Sequence, residues 1–231
     1  DDTGPAHYSI RGMPDWTYGY WLSDAATALV AASKFFAVFG STPAAELVQR
    51  YLRLTHFMLN SQEIPLGRIE YNRSPLTEAT EIDIGKAIWG LGYTVFNGPR
   101  LAKEAANDIL TTLVPDIPLK QIRAQAYAVL GAANFLVRFP GASAVRRYLA
   151  HYAEELAAFL STADWLSRWQ EADYGIPVQA LAVAANQMGS DKLTAQIDDA
   201  AQTLLEITKK GKLFFKPGDN PDEEELPVPA A

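Results

Sequence analysis

WLSDAATALVAASKFFAVFG, residues Trp21 to Gly40, decides the fold through its spacing. Trp21, Ala25, Ala28, Leu29, Ala32, Phe35 and Phe36 recur at intervals of three and four, which lays them along one broad face of a helix and predicts that this face is buried. Gly40 ends the run, because glycine turns a chain out of a helix C-terminus at little cost. Ser41-Thr42-Pro43 opens the next helix, with proline in the first turn where no backbone N–H is needed. Leu47, Tyr51, Leu54 and Met58 carry its apolar stripe.

The same punctuation repeats along the chain. Helices are predicted over about 78–96, closed by Asn97-Gly98-Pro99, over 99–113, closed by Val114-Pro115, and over 118–139, closed by Pro140-Gly141. Three more follow over about 142–161, 174–188 and 191–210. Eight helices joined mostly by short turns must lie antiparallel to their neighbours, so the chain reads as four αα-hairpins in one all-α domain over 1–216. Residues 60–77 interrupt the rhythm with Gly67-Arg68-Ile69-Glu70-Tyr71-Asn72, alternating and β-capable, which predicts a long hairpin loop at one end of the helix pairs. The acidic, proline-bearing tail 217–231 reads as a solvated end or the start of a linker. Small residues on the helices, Ala31, Ala32, Ala132, Ala133, Ala184 and Ala185, predict close helix packing.

Composition narrows the function classes. The 231 residues are 48% hydrophobic and 20% charged, as in an ordinary packed domain. With no cysteine, disulfides, thiolate metal sites and thiol catalysis are excluded. A formal net charge of −7 repels phosphate backbones and argues against a nucleic-acid partner. The densest basic run, Lys209-Lys210-Gly211-Lys212, sits at an expected helix end, where cations complement the dipole. No stretch is read as a membrane span. The start, Asp1-Asp2-Thr3-Gly4, has no signal-peptide pattern and reads as trimmed, and the expected compartment is the cytoplasm. His7, His56 and His151 lack metal-ligand spacing, no nucleophile elbow is present, and Gly90-Leu91-Gly92 lies inside a helix, so neither a metal nor a cofactor is expected.

Acids stand at the starts of alternate helices: Asp24, then Glu78, Glu81 and Asp83, then Glu171 and Asp173. In a ring of antiparallel pairs those starts face one end, so the acids would converge on one mouth. Paired carboxylates there suit glycoside cleavage, one donating a proton and one activating water or attacking carbon. Asp24, Glu81 and Asp173 are the candidate catalytic acids. First-turn acids also cap free N–H groups and complement the helix dipole, which is the commoner role for any one of them. Trp16, Tyr20, Trp21 and Tyr174, with Glu78 and Asp83, are the candidate substrate-binding residues, because sugar rings lay their C–H faces on flat aromatics. Trp89, in Ala87-Ile88-Trp89-Gly90-Leu91, reads as a core residue.

These residues resemble the six-hairpin, glycosidase-like (α/α) toroid domain found attached to bacterial and archaeal glycosyltransferases. Asp1-Asp2-Thr3-Gly4, Pro14-Asp15 and Gly19-Tyr20 are similar to that family's DDTG…PD…HGY start. Gly85-Lys86-Ala87-Ile88-Trp89-Gly90-Leu91-Gly92 is similar to its GRALWALG helix, Gln179-Ala180-Leu181 and Leu205-Glu206-Ile207 to its last segments, and Phe214-Phe215-Lys216-Pro217-Gly218-Asp219-Asn220 to an FSPIGN-like turn. The resemblance implies a toroid, a saccharide or glycan ligand, and a glycosyltransferase as neighbour. The departures lie at the acids. Ser23-Asp24-Ala25-Ala26-Thr27 stands where the family reads DDNAR, Thr80-Glu81-Ile82-Asp83 where it reads SEDSHGRALW, and Ala172-Asp173-Tyr174-Gly175-Ile176 where it reads YDNAR. One carboxylate is kept at each place while polar companions are lost. A buried carboxylate without partners tends to stay protonated, which would suit a general acid with no obvious base. The expected functions are therefore glycan binding or support of a glycosyltransferase with degenerate catalysis, glycoside hydrolysis at these acids, or a helical protein-interaction scaffold. Four hairpins also fall short of six, so an open edge would expose apolar faces to a second copy or a neighbouring domain.

Overall fold

The computed structural model describes residues 3–60, 63–113, 118–169 and 173–209, and side chains as far as residue 206. The expectations placed on Asp1, Asp2, Val114, Pro115, Glu171, Ala172, the Lys210–Lys212 run and the tail fall outside the described residues. Among the described residues nine α-helices form: α1 (Leu22–Phe39), α2 (Thr42–Asn60), α3 (Glu81–Asn97), α4 (Arg100–Leu113), α5 (Ile122–Arg138), α6 (Ser143–Leu160), α7 (Trp165–Trp169), α8 (Gly175–Met188) and α9 (Asp191–Lys209). Eight match the spacing of the sequence. The ninth, α7, is a short helix in the 161–174 connection, too short for periodicity to reveal.

Helices α1, α3, α5 and α8 form an inner layer in which each packs on the next, and α2, α4, α6 and α9 back them as an outer layer. Three observations fix the inner helices as parallel. Gly90 of α3 abuts Ala26 of α1 while Ser33 bonds Thr94, 3.0 Å, further along both helices. Glu81, which opens α3, bonds the backbone that opens α5. Asp173, just before α8, bonds Arg123 and Tyr127 in the first turns of α5. Four parallel inner helices with four outer partners make an arc of an α/α toroid.

Composition explains the layering. The inner helices are apolar on most sides because each is covered from behind and on its flanks. The outer helix α2 buries one stripe, Ala44, Val48, Leu52, Thr55, Met58 and Leu59, and leaves Leu47 and Tyr51 at its half-buried margin. By length and composition α1 is apolar enough to cross a membrane, contrary to the sequence expectation. Here it packs between α2 and α3.

The expected loop at 60–77 is a hairpin of β4 (Leu66–Ile69) and β5 (Pro75–Glu78), joined in an antiparallel sheet by β3 (Tyr20–Trp21). A second hairpin, β1 (Ser9–Ile10) with β2 (Met13–Pro14), precedes a 3-10 turn over Trp16–Tyr18. The three-stranded sheet sits at the N-terminal end of the inner helices, since β3 runs directly into α1 and β5 leads into α3.

Helix ends are secured by identifiable groups. Gly40 closes α1 in the left-handed region, φ 59°, with its N–H bonding the Phe36 carbonyl. Thr80 and Asp83 form a reciprocal capping box on α3. Thr80→Ala is expected to lower stability by about 1 kcal/mol, the usual value of such a cap, measured by urea unfolding. An unchanged midpoint would show that the cap contributes nothing.

Candidate functional site

The inner-helix N-termini share one end, as the sequence predicted. Among the described residues, Asp24, Glu81, Asp83 and Asp173 each have a partner there. Asp83 is buried, and its Oδ2 accepts from the Thr80 N–H and hydroxyl, both 2.8 Å, in the capping box. Glu81 Oε2 accepts the backbone N–H groups of Lys120, 2.6 Å, and Gln121, 2.7 Å. Gln121 is the N-cap of α5 and makes no side-chain cap bond of its own, so Glu81 supplies the cap from the neighbouring helix. Removing it, Glu81→Ala, is expected to cost about 1–2 kcal/mol by urea unfolding, with fraying confined to the start of α5 in hydrogen exchange. Equal exchange at residues 120–124 would contradict this.

Asp173 is the most heavily bonded of the three candidate acids. Its Oδ2 accepts from Arg123 Nε and Nη2, each 3.1 Å, and from the Tyr127 hydroxyl, and its Oδ1 accepts from Trp169 Nε1 at 2.9 Å. Burial pushes its pKa up, but the hydrogen bonds of Tyr127 and Trp169 and the Arg123 charge outweigh burial and hold it below the ordinary value. Tyr127 is pushed far up, first by burial and then by the Asp173 carboxylate. Asp173 is therefore ionised at neutral pH, the opposite of the unpartnered, protonated acid expected from its sequence neighbours. Arg123 and Tyr127 come from α5, about fifty residues away in the chain, and Trp169 from α7, four residues away.

Asp24 does not cap its own helix. Its Oδ2 lies 2.6 Å from His7 Nδ1, and the imidazole stacks on Trp21, centroids 4.1 Å apart at 17°. Tyr18 packs at a tilt 6.3 Å from His7, and Arg68 of β4 bonds the Tyr18 and Thr17 carbonyls and lies 5.6 Å over Trp21. Trp16 is exposed on the 3-10 turn, 5.0 Å from Tyr71, and Glu78 is exposed on β5 rather than in a helix. Tyr20 is fully buried in the core, so its ring is closed to a ligand. Tyr174 is half-buried as the N-cap of α8 and packs on the core.

The face of the inner layer that sequence reasoning missed lies on α3. Packing on α1, α5 and α4 buries three sides of this helix and leaves the stripe Ile82, Lys86, Trp89 and Tyr93 half-buried, at spacings of four, three and four. That stripe is the concave face. Lys86 Nζ lies 5.4 Å over the Tyr127 ring, Trp89 packs on Tyr127 at 5.4 Å, and Lys34 of α1 lies 5.4 Å over Tyr93. Flat rings alternate there with ammonium donors, a surface suited to a polyhydroxylated ligand with apolar C–H faces. The period that could have found it is ordinary helical spacing; in an all-round apolar helix that spacing cannot say which face is left open.

Comparison with known proteins gives no family profile and no curated protein that matches the chain. Solved structures do match. Cellobiose 2-epimerase from Spirochaeta thermophila DSM 6192 superposes with a TM-score of 0.69 at 15% identity, over 91% of this chain and 65% of the epimerase. A sugar epimerase from a ruminal bacterium superposes with a TM-score of 0.66 at 12% identity, over 87% of this chain and 63% of that one. The chain thus spans somewhat less than two-thirds of the length of these neighbours. At such identities the likeness concerns the backbone, and it agrees with the helix order and inner-layer geometry: the chain has the α/α-toroid fold.

Proposed function

We propose that the concave face of the arc binds a saccharide, with Trp89, Tyr93 and Tyr127 as platforms and Lys34 and Lys86 as donors to hydroxyl groups. The observation that carries this reading is the half-buried aromatic and ammonium stripe on the one face of α3 that packing leaves open. The two sugar epimerases of the same fold support the substrate class. Among the candidate catalytic acids, Glu81 and Asp173 position helix starts rather than cleave a glycosidic bond. Each is committed to donors, and an Asp173 held ionised by a guanidinium, a phenol and an indole is a poor proton donor. A saccharide array tests the reading: wild type retains a subset of glycans, and Trp89→Ala or Lys86→Ala loses them by at least about tenfold in Kd, the effect of one lost stacking or charged contact. Retention unaffected by either change would overturn it.

The neighbour implied by the family resemblance, a glycosyltransferase domain or a second copy of the chain, is proposed to cover the C-terminal end of α1. There Phe35, Val38 and Phe39 are 44%, 74% and 64% exposed and Phe35 packs on Phe39. Such a contiguous apolar strip on an end helix of the arc is what partners usually cover. Light scattering after size exclusion checks the second-copy version: wild type self-associates with rising concentration, and Phe35→Ser with Phe39→Ser stays monomeric. A wild type that is monomeric throughout would remove it.

A further inference from the structure

The histidine that motif spacing set aside stands at the mouth in the arrangement of a general base. We propose that His7 and Asp24 form a proton-transfer pair serving the anomeric hydroxyl of a free reducing sugar. The proposal rests on the saccharide reading above and adds an activity to it. Asp24 Oδ2 lies 2.6 Å from His7 Nδ1, so a ring that donates its Nδ1–H to this carboxylate presents Nε2 as the nitrogen left for a reacting group. The ring is held from two further sides, stacked on Trp21 and tied through its backbone N–H to the Gly19 carbonyl at 3.4 Å. Its side chain keeps 34% of its surface. A carboxylate orienting one ring nitrogen while the other faces the reacting group is the geometry by which histidine becomes an effective base.

Its place in the fold connects it to the concave face. Asp24, Thr27, Ala31 and Lys34 follow one another at helical spacing on the side of α1 away from the core, and Lys34 reaches over Tyr93 of the concave stripe. The pair therefore stands at the N-terminal end of the exposed side of α1, whose Lys34 reaches the stripe. Arg68, held by the Tyr18 and Thr17 carbonyls and lying over Trp21, places a fixed positive charge beside the pair, suited to stabilising oxygen that gains charge as the proton leaves.

The step balances without a co-reactant. Nε2 takes the proton of the anomeric O1–H, and the O–H electron pair becomes the second C1–O1 bond. The C1–O5 bond breaks, its pair goes to O5, and O5 takes a proton from water. The imidazolium returns its proton to the resulting hydroxide. Reclosure on the other face of C1 gives the other anomer, so the net change is anomer interconversion.

The experiment uses freshly dissolved β-cellobiose, polarimetry in a buffer free of imidazole, and parallel calorimetric binding of cellobiose, glucose, galactose and mannose. Wild type is expected to equilibrate the anomers faster than buffer, His7→Gln to fall to the buffer rate while still binding, and Asp24→Asn to fall about 10²-fold or more. Two readouts separate positioning from mere scaffolding. Asp24→Glu restores part of the rate, and added imidazole speeds His7→Gln more than it speeds an enzyme-free control. Binding by a wild type that equilibrates anomers no faster than buffer overturns the proton-transfer pair and leaves the saccharide reading standing. The pair is also overturned if His7→Gln, shown folded by circular dichroism, retains the full rate. Absence of binding to all four sugars removes the saccharide reading, and the pair with it.

Discussion

Gly131→Ala is expected to destabilise the protein by at least about 3 kcal/mol, although alanine is the better helix former by about 1 kcal/mol. The reason is the crossing of α3 and α5. A Cβ at Gly131 would lie 2.2 Å from the Ile88 carbonyl oxygen and 2.8 Å from the Trp89 nitrogen, and a Cβ at Gly92 would lie 2.0 Å from the Gly131 carbonyl oxygen. Gly85 meets Ala124 in the same way, at 2.4 Å. These neighbours are backbone, which cannot swing aside as a side-chain end would. Relief requires the two inner helices to separate along their length, loosening Ile88, Leu91, Ala128 and Leu130 of the core together. Overpacking of one site costs about 1–3 kcal/mol, and a clash that moves whole helices lies at or above the top of that range. Against a total stability of roughly 5–15 kcal/mol, the midpoint of urea unfolding falls sharply. A variant as stable as wild type would mean that the helices do not approach this closely.

Replacing Asp173 by alanine is the second large effect, with an expected loss of about 3 kcal/mol or more. The Arg123 guanidinium, the Tyr127 hydroxyl and the Trp169 indole all converge on this one carboxylate. Its removal leaves a largely buried cation and two donors without their acceptor, and a broken buried pair costs about 3–5 kcal/mol. The pair keeps about a fifth of its surface, which puts the value at the low end. The pH dependence has a definite sign. A folded carboxyl held below its ordinary value binds fewer protons than the unfolded one, so its contribution is complete above the unfolded pKa, about 4. It is lost as pH falls through the lower folded pKa. Wild type therefore loses stability on acidification below about pH 4 more steeply than Asp173→Asn, measured by urea midpoints from pH 7 to pH 2. Parallel acid limbs in the two proteins would contradict the network.

Much of the architecture can be read from local signals. Gly40 takes the left-handed conformation expected of a helix stop, Asn97-Gly98-Pro99 separates α3 from α4, and the eight long helices fall where apolar residues repeat at three and four. What could not be read is non-local. Strand β5 takes Glu78 out of the predicted helix because Leu66 and Arg68 pair with it, a partnership that no property of Pro75-Leu76-Thr77-Glu78 announces. The acids were visible as residue types, but their roles depend on groups far along the chain: Glu81 on residues 120 and 121, Asp173 on Arg123 and Tyr127, Asp24 on His7. Trp89 looked like core and does pack against it, with one side left open on the stripe, whereas Tyr20 looked like cleft lining and is fully buried beside its strand partner Ile69. Periodicity tells which helix is apolar all round, and only the packed neighbours tell which side of it stays open.

Indole N–H resonances report that open side directly, because the protein has five tryptophans and only Trp89 stands on the concave stripe. In a titration of ¹⁵N-labelled protein with cellobiose and the other disaccharides of the array, the account predicts that the Trp89 signal moves most as binding saturates. Trp21 should follow it at the mouth, while exposed Trp16 and core Trp165 stay in place. Saturable binding that shifts Trp16 alone, or that leaves Trp89 unmoved, would contradict the concave face as the saccharide site.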